Sequence, residues 1–186
     1  MKIISDRVSI VTSNNVFSLV ILPTTNKRKL WVLFFWLFAW TFCGVIVFAN
    51  YFKINNSDAK TFIIVYLSFW FYFEYKIGRA FLWKKFGKEK LWIRGGTLYY
   101  QREVSGRGKI KEFDVNLITE FNYIEVDHVS FADNINQSFW VKGGERIEFE
   151  CQGKIIRLGM QLDDKEAREI LKEIKSALTN KLKIEN

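Results

Sequence analysis

Glu74 stands out chemically because of the residues around it. It follows thirteen charge-free residues, 61–73, and shares one helical face with Tyr66, Trp70 and Gly78, each four residues from the next. If that stretch lies in a bilayer, Glu74 sits about 20 Å from the outer end of its helix and within about 10 Å of the inner interface. An ionisable group at such depth is costly when unpaired, so a partner is expected. The Trp36 indole, at similar depth on an antiparallel neighbour, and the cations Lys76 and Arg79 are the candidates. The carboxyl then serves either as a hydrogen bond that pairs two helices, or as a proton or ion relay or a site for a polar partner.

Other chemistry is thinly represented. The single histidine, His128, falls in VDHVSFADN and reads as a solvated loop side chain. Cys43 lies in an apolar run and Cys151 in a predicted strand, with no CxxC or Cys/His cluster, so neither a disulfide framework nor a zinc site is indicated. Glu148 and Glu150 alternate along a strand and share its solvent face. Asp163-Asp164 is a carboxylate pair that helix capping explains. No G-x-S-x-G, Walker A, H-E-x-x-H or Rossmann fingerprint occurs. No catalytic residue, metal or cofactor is predicted, and the chain is expected not to be an enzyme.

Two helices must position Glu74. Residues 30–52, LWVLFFWLFAWTFCGVIVFANYF, hold no Asp, Glu, Lys, Arg or His. As a helix this run is about 34 Å long, enough to cross a hydrocarbon core of roughly 30 Å. Trp36 and Trp40 lie four apart on one face, with Cys43 and Gly44 further along, and Gly44 permits close approach of a partner helix. Trp36, Trp40, Trp70 and Glu74 form the predicted helix-pairing or polar intramembrane set. The second span, predicted over 61–83, is weaker in hydropathy, and a short interfacial helix is its alternative. Lys76 and Arg79 can snorkel to the nearer interface, and Trp83 marks it.

The formal charge of +8 is unevenly spread. Residues 1–83 carry 9 basic and 3 acidic residues, whereas 84–186 carry 19 and 17. A nucleic-acid partner would call for a basic stripe on the folded domain. Here the surplus lies beside the apolar run, which points to topology and anionic lipid instead. Lys27, Arg28 and Lys29 precede the first span; Lys84, Lys85, Lys88 and Lys90 follow the second. With Lys76 and Arg79 these are the candidate headgroup or topology cations. Two spans place both clusters, and both termini, on the cytoplasmic side.

The remainder reads as β-rich. Residues 1–29 form an N-terminal cytoplasmic segment without a signal-peptide core, with a possible β-hairpin turning at Ser13-Asn14-Asn15. From residue 84, strands are predicted over 90–94, 97–103, 109–115, 118–126, 137–142, 146–151 and 154–160, with a loop over 127–136. Gly95-Gly96 and Gln152-Gly153 supply turns. A closing helix, 163–182, is capped by Asp163 with Glu166 three residues on, and carries the stripe Ala167, Ile170, Leu171, Ile174 and Leu178. The predicted fold class is an α+β membrane protein. It combines a two-helix transmembrane hairpin over 30–83 with a small antiparallel β-barrel over 84–186 closed by the final helix, in the order of a pleckstrin-homology-like domain.

At these landmarks the sequence resembles uncharacterised bacterial membrane proteins that carry a pleckstrin-homology-like domain behind a two-helix hairpin. The resemblance rests on ILPTTNKRK before a Trp-rich span, on Glu74, on LWKKFGKEKLWI, and on IEFECQGKIIRLGMQLDDKEAREIL. A glycine expected just before the glutamate is Phe73 here. The resemblance implies a bacterial cytoplasmic (inner) membrane location and supplies no catalytic residues. The resulting expectation is a non-enzymatic, membrane-anchored interaction module at the inner membrane face. Its partners would be the bilayer and its headgroups, a membrane protein or a second copy, and not nucleic acid. The alternative is an accessory subunit of a larger transport, secretion or respiratory complex, in which Glu74 captures a partner.

Overall fold

The computed structural model describes residues 2–13, 16–23, 27–125 and 144–182. The turn residues Asn14 and Asn15, the loop expected over 127–136 with His128, and the strand expected over 137–142 lie outside the described residues. The chain divides into a helical unit, Asn26–Lys85, and a β-rich unit built from Met1–Thr25 together with Phe86–Asn186.

Two long helices, α1 (Lys27–Tyr51) and α2 (Ser57–Phe86), dominate the helical unit. Asn56 starts α2 by accepting hydrogen bonds from the amides of Asp58 and Ala59, at 2.8 and 3.3 Å. The helices run antiparallel: Phe34 meets Phe81, Thr41 meets Glu74, and Gly44 meets Trp70. Gly44 is buried because a Cβ there would collide with the Trp70 indole. That indole is itself held by its Nε1, which donates to the Trp40 carbonyl at 3.1 Å. Outside this seam α1 is largely uncovered, with Trp31, Phe35, Phe38, Phe42 and Phe48 all exposed.

Among the described residues α1 is the one helix long and apolar enough to cross a membrane. The expected pair of transmembrane spans is therefore corrected to one candidate. The reason lies in composition: α2 carries Asp58, Lys60, Glu74, Lys76, Arg79, Lys84 and Lys85, and thirteen charge-free residues fall short of a span.

Among the described residues of the β-rich unit, nine strands form two antiparallel sheets. The first is a meander of β1 (Lys2–Ser5), β2 (Val8–Ser13), β3 (Val16–Ile21), β4 (Gly87–Arg94), β5 (Thr97–Val104) and β6 (Ile110–Asp114). The second holds β7 (Ile118–Tyr123), β8 (Glu145–Cys151) and β9 (Lys154–Met160). Gly95-Gly96 and Gln152-Gly153 turn the β4–β5 and β8–β9 hairpins with φ between 52 and 73°, the left-handed backbone that two-residue hairpin loops require. One apolar core lies between the sheets and the final helix, α3 (Asp164–Leu182), with Leu91, Leu98, Phe149 and Leu158 from the strands and Ala167, Ile170 and Ile174 from the helix. The expected cap is in place. The Glu166 amide donates to Asp163 Oδ1 at 2.6 Å, and the Asp163 amide donates to Glu166 Oε2 at 3.2 Å.

The expected pleckstrin-homology-like barrel does not form; the sheets of six and three strands stay open. Two features prevent closure. The N-terminal hairpin is not a separate segment, because β3 pairs with β4 along its length and occupies the edge that a closing strand would need. After β6 a 3-10 turn, Val115–Leu117, breaks the ladder, and β7 begins the second sheet.

Candidate functional site

Glu74 lies half-buried on α2, facing α1. Its hydrogen-bonding partner is Thr41, whose Oγ1 donates to Glu74 Oε1 at 2.8 Å, while the same hydroxyl lies 2.8 Å from the Leu37 carbonyl. One hydroxyl hydrogen serves one acceptor at a time. The Thr41 hydroxyl is therefore shared between the Leu37 carbonyl of its own helix and the Glu74 carboxyl of the other. The second oxygen, Oε2, is buried with no hydrogen-bonding partner among the described residues, and so is the Trp40 indole Nε1. This pair of helices therefore holds one open acceptor and one open donor, each costly to leave unmet.

Thr41 was not among the sequence-based candidates, although it lies three residues before Gly44 on the expected contact face. Trp36 stacks on Trp40, ring centroids 5.3 Å apart and planes within 11°. Lys76 and Arg79 turn instead to tyrosines one turn earlier: Lys76 Nζ lies 5.5 Å from the Tyr72 ring, and Arg79 Nη1 donates to Tyr75 Oη at 3.0 Å.

The candidate headgroup cations are placed unequally. Lys27, Arg28 and Lys29 are exposed in the first turn of α1, where no acidic residue accompanies them. Cations are disfavoured there by the helix dipole, so helix stability does not account for them. Lys84 is buried, whereas Lys85 and Lys88 are exposed. Lys90 is half-buried and paired with Glu103 at 2.7 Å.

A second polar cluster, absent from the sequence-based candidates, lies in the β-rich unit. Glu89 on β4 is 2% exposed and sits directly opposite Arg102 on β5. Arg102 Nε donates to Glu89 Oε1 at 2.9 Å, and its Nη2 donates to Glu145 Oε1 at 3.0 Å and to the Arg157 carbonyl at 2.7 Å. The other Glu89 oxygen accepts from the amide of Gly159 at 2.7 Å. Tyr100 Oη lies within 3.3 Å of Glu89 Oε1, and burial, reinforced by Glu89, pushes its phenol well above the usual tyrosine range. Burial works against the charge on Arg102, but Glu89, Tyr100 and Glu145 outweigh it and hold the guanidinium more firmly protonated. The cluster joins β4 and β5 to β8 and β9, across the gap where the two sheets have no ladder.

Period-two alternation carried the signal for this cluster. Gly87, Glu89, Leu91 and Ile93 share a face, as do Leu98, Tyr100 and Arg102, so an acid and a base had to point inward together. Reading KKFGKEK as a cationic run hid the inward carboxylate. Among the described residues no three His, Cys, Asp or Glu side chains gather in a way that could hold a metal ion. No family model, curated protein or solved structure matches the chain.

Proposed function

We propose that this protein is a non-enzymatic binding module anchored in a membrane by α1, with its β-rich unit standing at the membrane surface. The observation that carries this reading is the uncovered apolar length of α1. Its 25 residues make a helix about 37 Å long, and most of its large aromatic side chains are exposed. Lipid is the economical cover for such a surface. The exposed Lys27, Arg28 and Lys29 at its start suit an anionic headgroup layer, at about 1 kcal/mol each near the surface. Because β3 is hydrogen-bonded to β4, the strands on either side of the helical unit in sequence belong to one sheet. The resemblance drawn above favours a bacterial cytoplasmic membrane, with the β-rich unit at its inner face.

A second reading, an accessory subunit of a larger membrane complex, draws on the open Glu74 Oε2 and Trp40 Nε1, which a polar partner could satisfy. Fractionation of expressing cells tests the anchor. The full chain is expected to sediment with membranes after an alkaline carbonate wash and to leave them only with detergent. Recovery in the carbonate supernatant would refute membrane anchoring.

A further inference from the structure

We propose that the cleft where the two sheets part is a binding site for a phosphate group carried by an organic molecule. The cleft has a volume of about 390 Å³. Tyr100 and Arg102 of β5, Lys109 just before β6, Lys111 of β6 and Arg157 of β9 line it, against an apolar wall of Ile155 and Ile156. It exists because the barrel does not close, and its floor is the polar cluster described above.

Three observations point to an anion. First, Arg102 is fixed before any ligand arrives. Its Nε and Nη2 are committed to Glu89, Glu145 and the Arg157 carbonyl, while Nη1 makes no hydrogen bond among the described residues. A guanidinium so held presents its remaining N–H groups in a set direction, the arrangement that suits phosphate oxygens. Second, Lys109 and Lys111 have neither an ion-pair nor a hydrogen-bond partner among the described residues, although both line the cleft. Alternation along β6 explains the placement. Lys111 shares a face with Phe113, which packs edge-on against Phe149 in the core, while Glu112 falls on the opposite face. Third, the nearby carboxylates are already engaged. Glu89 is met by Arg102 and the Gly159 amide, Glu145 by Arg102, and Glu148 by Arg157 at 3.2 Å. Two lysines are thus left to answer an incoming negative charge. The exposed Ile155 beside them gives the ligand's organic portion an apolar surface.

A soluble phosphate compound and a phospholipid headgroup share this chemistry, and the site itself does not depend on where α1 lies. The test titrates the full chain, in neutral detergent at low ionic strength, with inorganic pyrophosphate and separately with short-chain phosphatidylglycerol, by calorimetry. Lys109→Ala/Lys111→Ala is compared with wild type and with Lys172→Ala, an exposed lysine on α3; circular dichroism checks that each variant is folded. Saturable binding of either probe is expected, weakened about tenfold or more by the double substitution and changed less than about twofold by Lys172→Ala. Response to pyrophosphate alone assigns a soluble phosphate, and response to the lipid alone assigns a headgroup. Absence of saturable binding for both probes overturns the proposal, as does equal affinity in the double variant or an equal loss in Lys172→Ala.

Discussion

Glu74 accepts a hydrogen bond from Thr41 that ties α2 to α1. A glutamine at position 74 keeps an oxygen to accept from Thr41 and an amide to donate to it, whereas leucine keeps neither. Glu74→Gln is expected to leave the packing of α1 on α2 intact. Glu74→Leu is expected to weaken it by about 1 kcal/mol, the usual scale for an interhelical hydrogen bond in lipid. Thermal unfolding in detergent reads the difference, and equal losses in the two variants would contradict the assignment. Tyr100 offers a pH-dependent counterpart. Its phenol is held above the ordinary value of 10.0 by burial and by Glu89, so it stays neutral in the folded chain where the unfolded chain ionises. The stability this contributes is fully present below pH 10 and is lost as pH rises beyond it. Tyr100→Phe should lower stability by about 1 kcal/mol at neutral pH and flatten the fall above pH 10. Denaturant unfolding between pH 8 and 11 measures both; parallel curves for the two proteins would contradict it. The Glu74 face was readable from four-residue spacing alone, but its actual partner was not. Thr41 is small and common on apolar helices, and only the helix register singles it out.

At the scale of elements, Gly44 sets how closely α1 and α2 approach. The Trp70 indole fills the space over it and is pinned by its hydrogen bond to the Trp40 carbonyl. Gly44→Leu is expected to destabilise the helical unit by about 1–3 kcal/mol through overpacking. Wild-type thermal stability in that variant would show that the seam is loose. This approach was foreseen because a glycine next to a tryptophan stripe has few other uses within a long apolar helix. The α3 cap was equally legible, since Asp163 and Glu166 stand three apart ahead of a clean apolar stripe. The second span was not. Its charges suit snorkelling toward an interface, yet their number keeps α2 below what a crossing helix requires. Lys90 and Lys84 were likewise assigned to headgroups by their place in the sequence. Strand alternation and burial direct Lys90 to Glu103 and leave Lys84 covered.

For the whole molecule, the decisive feature is that the N-terminal and C-terminal segments share one sheet while α1 and α2 intervene in sequence. Local patterns gave nearly every strand but not the long-range pairing of β3 with β4. No turn signal links them, because 65 residues separate the end of one from the start of the other. The same pairing is what turns a small closed barrel into two open sheets. It leaves the basic cleft between them and a charged cluster in place of a ladder. Membrane anchoring requires that α1 be surrounded by lipid, and the chain's own cysteines allow a direct measurement. Cys43 is exposed on α1, and Cys151 is buried in β8. In intact membranes a water-soluble maleimide should leave Cys43 unlabelled, with labelling appearing only after denaturation in sodium dodecyl sulfate. Rapid modification of Cys43 in undisturbed membranes would place that helix in water and contradict the account.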